Sequence, residues 1–258
     1  MNVIIITGAT GGIGSATAAL FRREGWEVVG TSRRAECEWA LDVTSQESVD
    51  RLVDTVARRF CRVDALFNNA GFAQIGGFEE FDMKAHLEAF DTNVFGAMRL
   101  SKAVLPLMRR GGRGTIVNMG SVVSHLPAPF MGSYAASKHA LEGFSTSLDH
   151  ELRGSGLRSV LIRSGFMSSN IAANTVFAPE ADETLSAGRI AVHRNVDAAL
   201  KDADDPCVVA EAVHRACRTD AAPAVVDVGK EATALARLSR FLPLSVFERG
   251  FRRRFGLP

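Results

Sequence analysis

The chain has 258 residues, a length suited to one large domain with a sizeable core. Hydrophobic residues make up 47% and charged residues 23%, which excludes wholesale disorder, and 23 Gly without a G-X-Y period exclude a collagen-like chain. Thirty Lys+Arg against 29 Asp+Glu leave a net charge of +1, so no overall field draws nucleic acid.

The four cysteines, Cys37, Cys61, Cys207 and Cys217, form no CxxC pair, a usage that fits reduced thiols in the cytoplasm. The apolar run over residues 3–6 is too short to span a bilayer and follows no basic segment, so neither a signal peptide nor a transmembrane helix is expected.

That same run, Val3-Ile4-Ile5-Ile6, reads as a strand buried on both faces. Further strands are expected at 27–30, 65–67, 115–117, 159–162 and 224–226, alternating with helical periods, the pattern of a parallel sheet flanked by helices. Val49, Leu52, Val53, Val56 and Phe60 keep a 3.6-residue period. Phe90, Val94, Ala97, Ser101, Leu105 and Met108 predict one continuous helix, bent or ended late by Pro106. Leu141, Phe144, Leu148 and Leu152 predict another, closed by Gly154 and Gly156.

Between the first strand and its helix lies Thr7-Gly8-Ala9-Thr10-Gly11-Gly12-Ile13-Gly14. Glycines there let the backbone approach a pyrophosphate, and the helix N-terminus adds free N–H groups and a positive dipole end. Strand, glycines, helix and strand together point to a dinucleotide, and the absence of Gly-Lys-Ser/Thr disfavours a P-loop. The second strand ends in Thr31-Ser32-Arg33-Arg34. An acid at this place accepts from the ribose 2′-hydroxyl of NAD, whereas guanidiniums grip a 2′-phosphate, so NADP(H) is favoured over NAD(H). Arg34 is equally well read as a solvated loop charge.

Residues 166–201 contain no expected strand, and the stretch reads either as a lid or substrate segment or as a plain peripheral helix pair. The tail, residues 230–258, interleaves Arg237, Arg240, Arg249 and Arg252-Arg253-Arg254 with Leu and Phe. It is suited to packing on the domain or a second subunit, or to peripheral contact with an anionic membrane. The six histidines show no paired ligand spacing, and no metal site is expected.

Tyr134, the only tyrosine, and Lys138 sit four apart on a predicted helix and share a face. A phenol with a pKa near ~10 needs help to exchange protons near neutrality, and a nearby ammonium favours the phenolate. Asn93, Ser121 and Tyr134-Ala135-Ala136-Ser137-Lys138, with the glycine motif and Asn68-Asn69-Ala70-Gly71, together resemble the short-chain dehydrogenase/reductase family. Thr31 to Arg34, the Asp91–Gly96 stretch and the basic tail are similar to its 17β-hydroxysteroid dehydrogenase-like branch.

The resemblance implies an α/β fold: a Rossmann-type, doubly wound parallel sheet of six or seven strands with helices on both faces, in a single domain spanning 1–258. It implies a catalytic set of Asn93, Ser121, Tyr134 and Lys138, with Ser121 binding the substrate oxygen, Lys138 the nicotinamide ribose and Asn93 a water. The implied cofactor contacts are Gly8, Thr10, Gly12, Ile13, Gly14, Ser32, Arg33, Arg34, Asp42, Val43, Asn69, Ala70, Gly71, Gly165 and Ser169, besides Tyr134 and Lys138. Ser164 stands where the family usually has proline. Tyr-x-x-x-Lys suits a carbonyl/alcohol pair rather than an enoyl reductase, and the substrate is expected to be hydrophobic: steroid-, retinoid- or acyl-like. The alternatives are an NAD-dependent alcohol dehydrogenase and a non-catalytic NADP(H)-sensing regulator. A homodimer or homotetramer is expected.

Overall fold

The computed structural model describes residues 1–33, 39–168, 175–179, 186–239, 241–254 and 257. Its centre is a seven-stranded parallel sheet. In chain order the strands are β1 (Val3–Ile6), β2 (Glu27–Ser32), β3 (Trp39–Ala40), β4 (Ala65–Asn68), β6 (Gly114–Met119), β7 (Leu157–Ser164) and β9 (Val225–Val228), with the order β3-β2-β1-β4-β6-β7-β9 across the sheet. A separate parallel pair joins β5 (Ala73–Ile75) to β8 (Thr175–Phe177).

Alternation along the strands sorts the core into two layers. Val3, Ile5, Val29, Leu66 and Ile116 face one side, where they meet Val49, Leu52, Val53 and Val56 of α2 (Gln46–Phe60), Leu100, Val104 and Met108 of α4 (Gly96–Gly111), and Leu148 and Leu152 of α5 (Gly132–Leu152). Ile4, Ile6, Val28, Phe67, Val117, Val160 and Ile162 face the other. There they meet Ala18 and Phe21 of α1 (Gly12–Arg23), and Val209, Ala212 and Val213 of α7 (Cys207–Arg218). A continuous apolar run such as residues 3–6 is what a strand covered on both faces requires.

Three expectations need correction. The helix read through Phe90–Met108 is not continuous: α3 (Met83–Phe90) is followed by a π-helical turn, Asp91–Phe95, and then by α4. Pro106 does not stop α4, which runs on to Gly111 with the proline on its exposed face. Residues 166–201 do contain a strand, β8, too short and irregular in pattern to stand out; it takes its ladder partners from Ala73–Ile75. The rest of that stretch includes α6 (Ser186–Lys201). Its Arg189 forms a buried ion pair with Glu80, which also accepts from the Gly77 amide at 2.8 Å. The excursion is therefore tied to the segment that follows β4 at both the strand and the helix.

The tail forms α8 (Lys230–Leu238) and α9 (Leu244–Arg254). Ala232 is buried, whereas Leu238, Phe241, Leu242 and Val246 are exposed, Phe241 by 84%. No helix among the described residues is long and apolar enough to cross a membrane.

Candidate active site

The sheet order reverses between β1 and β4, and the segments leaving the carboxyl ends of these strands lie side by side, where open α/β sheets bind ligands. After β1, Gly8 adopts φ +64° and Gly11 is the N-cap of α1, with no side-chain cap. Gly14 is under the tightest constraint: a Cβ there would sit 2.3 Å from the Gly8 carbonyl oxygen and 2.9 Å from the Ala9 Cα. Thr10 at the loop's crest is exposed, Gly12 half-buried, and Ile13 packs its side chain into the core. The first turn of α1 carries no acid. This loop fits a pyrophosphate: bare backbone at a helix N-terminus with no competing side chain.

Asn69 and Ala70 hold that loop in place. Their amides donate to the Thr7 hydroxyl at 2.9 and 2.8 Å, and Asn69 Nδ2 donates to the Thr7 and Gly8 carbonyls at 2.9 and 3.2 Å. Thr7 thus links β1 to the β4 exit, a role its place in the glycine motif did not reveal. Gly71 has no room for a side chain, since a Cβ would lie 2.8 Å from Asn93 Oδ1 and 3.7 Å from Lys138 Nζ.

At the end of β2, Thr31 turns into the sheet and donates to the Ile6 carbonyl at 3.3 Å, and Ser32 is buried. Arg33 is exposed. Arg34 and Ser169 lie outside the described residues. Across from Arg33, Asp42 Oδ1 accepts from the Thr44 amide and hydroxyl at 2.9 and 2.7 Å. Partial burial raises the Asp42 pKa, but Thr44, Arg33 and Arg99 outweigh it and leave the carboxyl below its ordinary range. Ser45, not Asp42, caps α2 by accepting from the Ser48 amide, so Asp42 is left at the edge of the crevice. Val43 is buried against Gly96, and its carbonyl accepts from Arg99 at 3.2 Å.

Ser121, Tyr134, Lys138 and Asn93 converge on one region. Ser121 leaves β6 as the cap of a 3-10 turn, Val122–Ser124, and its hydroxyl accepts from the Val123 amide at 3.3 Å. It lies close enough to the Tyr134 phenol to favour its ionised form. One turn along α5, Lys138 is 6% exposed, its Nζ 5.8 Å from the centre of the Tyr134 ring. The ammonium donates to the Met119 carbonyl at 2.7 Å. Asn93 sits in the π turn, where the widened ring turns its side chain inward. Its Oδ1 accepts from the Phe72 amide at 3.0 Å, while Nδ2 donates to the Phe72 carbonyl and Ser137 Oγ at 3.0 and 3.1 Å. The side chain therefore spends both donors on clamping the β4 exit to α5.

Burial raises the Tyr134 pKa above its ordinary value, and the neighbouring Ser121 side chain offsets this only in part. Burial also brings Lys138 down to about 8, so that its charge is lost as the pH rises through that value.

Beside these residues runs a narrow cleft, lined by apolar side chains that include Val122, Leu126, Met131, Phe166 and Leu235. His125, adjacent in sequence, points to solvent. Gly165, at the exit of β7, abuts the Glu231 carboxylate of α8: a Cβ at 165 would lie 2.7 Å from Oε2. Behind the site, Asn118 is fully buried in β6. It accepts from Asn68 at 2.8 Å and donates to Ser145 and Ser159 at 3.0 and 3.4 Å, bracing three strands against α5. An Asn inside the buried strand run 114–119 is the sequence signal that marks such a network.

Comparison with known proteins agrees with this geometry. The family model for short chain dehydrogenases matches residues 2–179. The chain belongs to that family. It is 35% identical over 180 residues to 3-ketodihydrosphingosine reductase of Bacteroides thetaiotaomicron, a match covering 67% of this chain and 66% of that protein. The chain thus spans just under two thirds of that relative's length. A short-chain dehydrogenase from Streptomyces avermitilis superposes with a TM-score of 0.83 at 30% identity, covering 93% of this chain and 92% of that one. An actinorhodin polyketide ketoreductase variant crystallised with NADPH gives 0.74 at 27% identity, covering 88% and 95%. The chain thereby has the single Rossmann-like α/β domain of the short-chain dehydrogenase family.

Proposed function

We propose that the chain is an NADP(H)-dependent carbonyl reductase or alcohol dehydrogenase acting on a hydrophobic substrate. The observation that carries this reading is the Ser121 side chain placed beside the Tyr134 phenol next to an apolar cleft, with Lys138 one turn behind. A nicotinamide dinucleotide bound here supplies the hydride. The glycine loop, Asp42, Val43 and the β4 exit would hold its adenosine and pyrophosphate, and Lys138 its nicotinamide ribose.

The chain's own residues handle the oxygen and the proton. Ser121 and Tyr134 are placed to donate to one carbonyl oxygen, orienting the carbon for attack. As negative charge develops on that oxygen, the Tyr134 O–H transfers its proton and the alcohol forms. The raised pKa of Tyr134 keeps the phenol protonated at neutral pH, the form that reduction requires. Lys138 lies behind it to return the proton. Asn93 positions rather than reacts, since its amide is committed to Phe72 and Ser137.

Preference for NADP(H) is supported by Arg33, exposed at the end of β2 in the place where an NAD site carries an acid. Titration with NADPH and NADH, followed by nucleotide fluorescence, tests this. Arg33→Ala should weaken NADPH binding tenfold or more and leave NADH nearly unchanged; equal effects on both would refute the phosphate contact.

A further inference from the structure

Residues 230–258 carry seven of the chain's 30 Lys and Arg but two of its 29 Asp and Glu. Since the whole chain has a net charge of +1, the part before this tail is acidic overall. The tail has two distinct sides. Toward the domain, Ala232 is buried and Leu235 lines the apolar cleft. Ala234, Arg237 and Leu238, spaced as i, i+3 and i+4 on α8, are exposed together. The chain then turns, with the Phe241 and Leu242 amides both donating to the Leu238 carbonyl at 3.0 Å. Phe241 is 84% exposed at this turn, and Leu242 is exposed beside it. On α9, Val246, Arg249 and Arg253, spaced as i, i+3 and i+7, are exposed on one face.

Apolar side chains surrounded by water gain when an apolar phase covers them. The interleaved arginines narrow what that phase is. A second copy meeting this face across a two-fold axis would set the arginines against their own duplicates. Like charges would then oppose the contact. A nucleic acid would neutralise the arginines but give Leu238, Leu242 and Val246 no apolar partner. An anionic lipid surface suits both kinds of side chain: the acyl boundary takes the apolar ones, and lipid phosphates take the guanidiniums.

We propose that the turn between α8 and α9, with the exposed face of α9, docks the protein peripherally on an anionic lipid surface. Leu238, Phe241, Leu242 and Val246 enter the headgroup boundary, and Arg237, Arg249 and Arg253 face lipid phosphates. Leu235 of the cleft lies about one turn before Leu238 on the same helix, so the docked face adjoins the candidate active site. The docking itself does not depend on the carbonyl/alcohol reading.

The test is co-sedimentation of the full chain with vesicles of phosphatidylcholine alone and of an equal mixture with phosphatidylglycerol. The mixed vesicles should be bound at least tenfold more tightly, and added salt should shrink that preference by screening the charges. A base near an anionic surface is worth about fivefold in binding, so R249Q/R253Q should weaken binding more than tenfold. Phe241→Ser, which leaves the charge unchanged, should weaken it at least tenfold. All three positions are exposed, so both variants should keep the wild-type Tm. Phe241→Trp reports on the side chain itself, and its emission should shift to the blue with the mixed vesicles.

No binding to the mixed vesicles, equal binding to both kinds, or binding untouched in both variants overturns the inference. So does a dimer that Phe241→Ser dissolves in the absence of vesicle binding, which would assign the face to a second copy. Retention of an oligonucleotide but not of vesicles would assign it to nucleic acid and overturn the inference as well.

Discussion

Burial changes the chemistry of Lys138, bringing its ammonium down to about 8. The charged form is the better donor to ribose hydroxyls, so dinucleotide affinity should be level below pH 8 and fall as the pH rises through that value. Lys138→Met should bind more weakly and show no such break; a break that survives the substitution would assign it to another group. Ser121→Ala removes one of two donors to the substrate oxygen and should lower kcat about 10²-fold while leaving dinucleotide Kd within about twofold. The pairing of Tyr134 with Lys138 was legible in the sequence because a four-residue spacing defines a helix face. The Met119 carbonyl that holds Lys138 was not, since a main-chain acceptor carries no mark of residue type. The direction of the Tyr134 pKa was also hidden, because it depends on how completely distant segments bury the phenol.

At the scale of single elements, the site depends on two backbone features. The glycine loop tolerates no Cβ at position 14, where the nearest atom is the Gly8 carbonyl oxygen. Gly14→Ala should therefore shift the loop and abolish measurable dinucleotide binding by fluorescence; retention of wild-type Kd would show that the loop can yield at no cost. The π turn that carries Asn93 is the other. Apolar periodicity predicted an unbroken helix there, since the hydrophobic positions of α3 and α4 remain in step across the insertion of one wider turn. The strand β8 was missed for a different reason. Three residues of ladder leave no period to read, and the pair with β5 exists only because tertiary packing brings residues 73–75 and 175–177 together. Long runs such as β1 and α2, whose apolar positions repeat through several contacts, were readable to within a residue or two.

For the molecule as a whole, the two-layer core was written in the alternation of buried strand residues, and the site lies where strand order reverses above it. Polar groups fix the layers against each other. Asp149 of α5 is buried and accepts from Arg158 Nε at 2.8 Å and the Ser159 amide at 3.1 Å on β7, besides Arg153. Burial alone raises its pKa, but these partners outweigh that and hold the carboxyl below its ordinary value. Its contribution to stability is thus complete above the unfolded value near ~4 and is lost as pH falls through the lowered folded one. Asp149→Asn, which leaves Arg158 buried without its charge partner, should cost about 3–5 kcal/mol in urea unfolding at neutral pH. The cost should shrink toward pH 3; a pH-independent loss would point to packing instead.

The central claim is that Tyr134 delivers the proton in a carbonyl reduction within the apolar cleft. The most direct measurement is NADPH consumption by the purified wild type and Tyr134→Phe over a panel of aliphatic and cyclic ketones, alongside NADPH titration of both proteins. Turnover by the wild type, with a loss of at least 10²-fold in Tyr134→Phe and NADPH Kd within about twofold, is the predicted result. A Tyr134→Phe protein that reduces ketones at the wild-type rate, or a wild type that binds NADPH and reduces none of them, would contradict it.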